Sequence, residues 1–232
     1  MTRSHKALLF TAISLLAIAL ASLADGWIAQ AVTDAGIPAA LKAQHHFAGT
    51  HLSISGVLKF PGQYEATVLI AVFAVLVCRR SPRWHVGLFV LLAGLTSGVN
   101  GLLKWAVGRA RPFRDFSDGP ATGPLQPFHF EPFIHGLRGI STNNLCFPSG
   151  HAALAVATAA GLGILFPRGR FAFYAIAAIT SVERFMETAH WFSDTVAAAA
   201  LGIGGAYLMS WLLEGRLFVQ QPSGELAAEQ PS

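Results

Sequence analysis

Three stretches of this chain run 18 to 20 residues without an Asp, Glu, Lys or Arg: 18 from Ala7 to Ala24, 20 from Trp84 to Leu103 and 19 from Thr195 to Leu213. A helix needs about 20 predominantly apolar residues to cross the hydrocarbon core of a bilayer. The rest of the chain cannot rescue a soluble reading. Only 12% of its 232 residues are charged, against 53% hydrophobic and a mean hydropathy of +0.50. A soluble domain carries about twice that charge, and disorder needs far less apolar residue. The chain is therefore expected to cross a membrane several times.

Three further apolar segments are shorter. One begins near Phe60 or Glu65 and ends at Cys78, one runs from His151 to Phe166, and one starts at Phe171 and meets Glu183 after 12 uncharged residues. Counting all six predicts an all-α polytopic protein with six transmembrane helices. They form one domain over 1–219, followed by a polar, disordered tail over 220–232. The first stretch has a rival reading as a signal peptide, because Arg3 and Lys6 precede it and Ser22-Leu23-Ala24 resembles a small-residue cleavage site. Its length favours an uncleaved helix.

With the N-terminus inside, the inner segments hold eight bases and three acids, and the outer side eight bases and nine acids. The Arg79-Arg80-Arg83 and Arg168/Arg170 clusters then satisfy the positive-inside rule, with both termini cytoplasmic. The net charge of +4 lies scattered between apolar runs, not in a stripe, so nucleic acid is not an expected partner. Cys78 and Cys146 fall on opposite sides and should not bond to each other. The sequence holds no CxxC pair or His/Cys ligand cluster, and no metal or cofactor is expected. Two outer segments, 25–60 and 109–148, are long enough to be functional. The Gly-rich runs around Gly161, Gly163 and Gly202 to Gly205 lie inside apolar stretches and read as close helix packing.

Three polar clusters interrupt the apolar chain, all on the outer side. In the first, Lys104 and Arg111 are seven residues apart, two turns of a helix, and would share a face. Pro112 limits further helix. In the second, Phe147-Pro148-Ser149-Gly150-His151 precedes an apolar run. Ser149 is a candidate N-cap, and a helix N-terminus suits an anion. In the third, His190 and Asp194 are four apart, so a helix would bring them together, and a carboxylate on one ring nitrogen frees the other to act as base or nucleophile. Arg184 lies 14 residues beyond Arg170, about 21 Å of helix, which places it below the outer headgroups and facing an aqueous or anionic pocket. Cations, a helix N-terminus, two histidines and an aspartate together suit phosphoryl transfer.

These residues resemble the signature of the type 2 phosphatidic acid phosphatase (PAP2) superfamily of membrane lipid phosphatases. Lys104 through Arg111-Pro112 matches its first motif and Pro148-Ser149-Gly150-His151 its second. Arg184, His190 and Asp194 match the third at the right spacing, with Glu183 where the family has Ser. The resemblance implies a PAP2-like helical core and a metal-independent reaction. In it His190 is the nucleophile, Asp194 orients it, and His151 is the general acid. Lys104, Arg111, Ser149, Gly150 and Arg184 would hold the phosphoryl oxygens. Arg109, Arg114 and Arg138 are further candidates for substrate or headgroup contact. The expected substrate is a membrane lipid with a phosphate or diphosphate head, met at the outer face of a bacterial inner membrane. Undecaprenyl diphosphate or a glycerolipid phosphate such as phosphatidylglycerol phosphate stands first. Lipid A 1-phosphate, as substrate of a phosphatase or of a transferase with an acceptor lipid, stands second. A non-enzymatic lipid-binding or transport protein is the remaining alternative.

Overall fold

A computed structural model describes residues 2–47, 50–77, 83–113, 125–133 and 144–213. In chain order the helices are α1 (Arg3–Asp34), α2 (Ile37–Lys42), α3 (Ile54–Leu58), α4 (Tyr64–Val77), α5 (Arg83–Leu95), α6 (Val99–Val107), α7 (Gly150–Leu165), α8 (Arg170–Met186) and α9 (Phe192–Leu212). A short antiparallel hairpin, β1 (Gln44–Phe47) with β2 (Thr50–Ser53), interrupts the all-α plan between α2 and α3.

The six-span expectation does not hold. Among the described residues, three helical stretches are long and apolar enough to cross a membrane: Arg3–Asp34, His85–Val107 and Phe192–Leu212. They coincide with the three long charge-free runs to within a residue at the start of the second and the end of the third, and the middle one is α5 and α6 joined by a 3-10 turn at Thr96–Gly98. The other apolar segments form shorter helices. α4 has 14 residues, α7 has 16, and α8 has 17 with Arg170, Glu183 and Arg184 on it. At about 1.5 Å per residue none of these matches a hydrocarbon core of about 30 Å. The sequence count treated every apolar run as facing lipid, whereas α7 is apolar because it is buried in protein.

α7 is the hub, packed on α5, α8 and α9. Its buried face is built from Ala152, Ala153, Ala157, Ala160 and Gly161. Small residues of this kind let helices approach closely where lipid supplies no hydrophobic drive. Gly202 of α9 shows the limit. A Cβ there would lie 2.7 Å from Ala157 N and 2.8 Å from Ala153 O, both main-chain atoms that cannot swing away. The opposite faces of α1 and α4 display Leu8, Leu16, Leu23, Leu69, Phe73 and Leu76 outward, the surface that a bilayer covers.

The segment 25–60, expected as an outer loop, also differs from expectation. α1 does not end at Asp25 but continues to Asp34, so Asp25 lies inside a helix and is buried. The next helix, α2, is short and stops at Lys42. Cys146 is buried with a free thiol. Cys78 and the tail over 220–232 lie outside the described residues.

Overpacking a close helix contact costs about 1–3 kcal/mol. Gly202→Val is accordingly expected to lower the melting temperature of the detergent-purified protein by several degrees. Gly98→Ala, where no atom lies within 4 Å of the added Cβ, should leave it within a degree or two.

Candidate active site

A recess of about 520 Å³ opens where the three polar clusters converge. Lys104, Arg111, Gly150, His151, Arg184 and His190 all line it, together with Gln63, Glu65, Ser97 and Asn100. Residues from α4, α6, α7, α8 and the α8–α9 turn thus meet at one end of the bundle.

Lys104 and Arg111 arrive by a different route from the one their spacing suggested. They do not share a helix, because α6 ends at Val107 and Gly108 turns left-handed at φ 60°. That residue must be glycine on two counts. The αL region disfavours any Cβ, and a Cβ here would sit on the main chain of Glu131 and Pro132. The chain then runs on as an irregular strand, with Ala110 bridged to Leu145, and Arg111 donates from NH1 to Ala189 O at 2.7 Å.

His190 and Asp194 are likewise not a pair on one helix face. His190 precedes α9, and Asp194 is in its first turn, where its carboxylate accepts from Trp191 N at 2.9 Å. The imidazole Nδ1 lies 2.8 Å from Cys146 O and 3.5 Å from the Asp194 carboxylate. A carbonyl oxygen only accepts, so Nδ1 carries the proton and Nε2 keeps its lone pair. The main chain of Cys146 is thus a closer orienting partner than the acid the spacing singled out. Burial, with Arg111, Lys104 and Arg184 adding to it, holds the His190 pKa well below the usual histidine value.

His151 stands in the first turn of α7, beside the N–H groups that a helix leaves unpaired. Burial and the charges of Arg184, Lys59, Lys104 and Arg111 lower its pKa to about 4. Ser149 is the N-cap by position, but its hydroxyl makes no capping bond. It is fully buried, outside the recess lining, and without a hydrogen-bond partner among the described residues. Ser149 N donates to Asp194 O at 3.2 Å, which ties the α7 start to the α9 start.

Glu183, the departure from the motif, is buried and turned toward α3. It accepts from Ser55 Oγ at 2.6 Å and from Arg184 NH1 at 3.2 Å. Burial pushes its carboxyl above the usual range, against the opposing pull of Arg184. Arg184 also pairs with Glu187 at 2.9 Å, while its Nε has no partner among the described residues. Asn100 Oδ1 and Ser97 Oγ are unpaired in the same sense. Both were passed over in the sequence. Their spacing from Lys104, four and seven residues, was the available signal.

Arg109 does not stand where a headgroup contact would. It is 2% exposed and stays out of the recess lining. Its NH1 donates to Asp194 Oδ1 at 2.6 Å and to Ser193 Oγ at 2.7 Å, and its NH2 to Asp25 Oδ2 at 2.7 Å and Pro127 O at 2.6 Å. Nε completes the set with Pro127 O at 2.9 Å. Every N–H of the guanidinium is used. Asp25 stands at the start of the segment 25–60, and nothing in its neighbourhood along the chain marks it. Arg114 and Arg138 lie outside the described residues.

Removing one partner of a buried ion pair leaves an uncompensated charge and costs about 3–5 kcal/mol. Arg109→Met is expected to destabilise the folded protein by that order in a detergent melt. Arg168→Met, at an exposed position, should change stability by no more than about 0.5 kcal/mol.

Comparison with known proteins identifies the family. Residues 82–217 match the family model described as the PAP2 superfamily. A lipid A 1-phosphatase of Rhizobium johnstonii is 35% identical over 144 residues, which is 60% of this chain and 53% of that protein. A lipid A 1-phosphatase of Rhizobium etli is 36% identical over 140 residues, 58% of this chain and 53% of that protein. The chain thus spans about half the length of the curated relatives it matches. A solved structure, the transmembrane PAP2 type phosphatidylglycerolphosphate phosphatase from Bacillus subtilis, superposes with a TM-score of 0.53. It covers 90% of this chain and 98% of its own at 18% identity, a likeness of fold. The chain is a membrane-embedded member of the PAP2 superfamily.

Proposed function

We propose that the chain is a lipid phosphatase acting on lipid A 1-phosphate or a closely similar sugar-linked lipid phosphate, through a phosphohistidine on His190. The observation that carries the chemistry is the His190 ring, whose Nδ1 is committed to Cys146 O while the residue lines a recess with three cations. The names of the two rhizobial relatives support this head group over the undecaprenyl diphosphate or glycerolipid phosphate favoured on the sequence alone.

In the proposed reaction, His190 Nε2 attacks phosphorus and the bond to the leaving oxygen breaks. His151 gives that oxygen a proton. Lys104, Arg111, Arg184 and the first N–H groups of α7 hold the charge that spreads over the equatorial oxygens. Neutral His151 then takes a proton from water, which attacks the phosphohistidine and releases inorganic phosphate. The oxygens of the phosphate meet cations in this scheme, so EDTA should leave turnover intact. Transfer to an acceptor lipid would use the same intermediate.

The test is phosphate release by the detergent-purified protein in EDTA, compared across lipid A, undecaprenyl diphosphate, phosphatidylglycerol phosphate and phosphatidic acid, with and without acceptor lipid. Lipid A should lose its 1-phosphate fastest, with the phosphate recovered as the free ion. A preference for another head group, or a metal requirement, overturns the reading. His190→Ala should abolish both turnover and the acid-labile phosphoenzyme.

The pH dependence has a definite sign. A depressed His190 pKa keeps the nucleophile neutral well below pH 6.5, so the acid limb of activity should lie below that value. The unfolded chain binds the proton more readily than the folded one, so stability too should fall as pH drops below about 6.5. His151 is neutral at pH 7 in the free site, and a bound phosphate dianion favours its protonated form. The alkaline limb of kcat should therefore lie at higher pH than that of kcat/KM.

A further inference from the structure

Asp25 is 0% exposed in the middle of a helix long enough to cross a membrane. A carboxylate at such a place is costly unless it is bound and used. It is fully bound. Oδ1 accepts from Ser193 N at 2.8 Å, and Oδ2 accepts from Ser193 Oγ at 2.6 Å and from Arg109 NH2 at 2.7 Å. All of these partners belong to the two segments that fix His190. Through its side chain, Arg109 grips Asp194. Through its main chain, Arg109 O accepts from Cys146 N at 3.0 Å, and Cys146 O in turn receives His190 Nδ1. Both groups facing Nδ1 are therefore held by the residue that Asp25 anchors. Asp25 also lies 57 residues before the part of the chain that matches the family model, 82–217.

We infer that Asp25 is a positioning residue for His190: by holding the Arg109 guanidinium and the Ser193 turn together, it keeps the imidazole in the Nδ1–H tautomer with Nε2 free. The inference rests on the reading of His190 as the nucleophile. Without the Asp25 carboxylate, Arg109 NH2 loses its charged partner, and the guanidinium can shift on its remaining bonds to Pro127 O, Ser193 Oγ and Asp194. The Asp194 and Cys146 acceptors then no longer keep a fixed spacing around Nδ1. Substrate does not touch Asp25, so the defect falls on turnover and not on phosphate binding.

The test uses the full chain in detergent with 15N-labelled histidine, with the His190 signals assigned by their loss in His190→Gln. The wild type should show His190 as one Nδ1–H tautomer. Asp25→Asn should show a second tautomer and a kcat at least tenfold lower. Its KM for the lipid phosphate and its affinity for inorganic vanadate should stay within about twofold. Asp34→Asn, on the same helix but exposed, should match the wild type in all four. Ser193→Ala keeps both acids and the arginine, and should shift tautomer and kcat in the same direction by a smaller amount, about threefold in kcat. It decides the question if Asp25→Asn does not fold. A wild-type spectrum and kcat in Asp25→Asn overturn the inference. So does a parallel loss of kcat and vanadate affinity, which marks a merely structural role. If the wild type releases phosphate from no lipid, the proposed function falls, and the tautomer comparison still decides Asp25.

Discussion

A single guanidinium, buried between two carboxylates, sets the terms for the rest of this molecule. Arg109 joins Asp25 of α1, Pro127 of the connection between α6 and α7, and Ser193 and Asp194 at the start of α9. In water such pairs are worth little, but a low-dielectric interior makes an unmatched charge expensive. The arrangement is therefore close to all-or-none, since each member is tolerable only while the others are present. Two aromatic rings, Phe130 and Trp191, lie 5.5 Å and 5.4 Å from the guanidinium carbon and close it off from solvent. This is how the described stretches 109–113, 125–133 and 144–149, tied by isolated bridges at Arg109 and Ala110, are held beside the recess.

The remaining basic residues divide the work. Lys104, Arg111 and Arg184 face the recess, while Arg109 faces away and holds the wall behind it. Arg184 is tempered from within by Glu183 and Glu187. The residue that replaces the family's Ser is thus not idle. It ties Arg184 to Ser55 of α3, and so draws the connection between α1 and α4 into the support of the site.

The line between what could and could not be read from the chain follows the range of the interactions. The three apolar, charge-free runs of 18 to 20 residues were legible because a bilayer imposes their length directly. The shorter runs misled because burial in protein and burial in lipid select the same residues, and only packing partners tell α7 from a span. The motif residues were legible as an inventory, and they do converge. Their geometry was not, because helical spacing was assumed where Gly108 and the turn before α9 break the helix. Asp25 and the Cys146 carbonyl were beyond reach for different reasons. The first acts on residues 84 and 168 positions away, and the second is a main-chain atom that any residue type would supply.

The brevity of α7 has a consequence for its two ends. Sixteen residues make about 24 Å of helix, against about 30 Å of hydrocarbon. Both ends cannot reach the edges of such a slab. The start of α7, which carries Gly150 and His151, is sheathed in protein, and the polar side chains of Gln63 and Glu65 line the recess beside it. If one end of α7 stands level with the headgroups, the other stops inside the slab, and there only neighbouring protein can satisfy the polar groups that a helix leaves unpaired at its end.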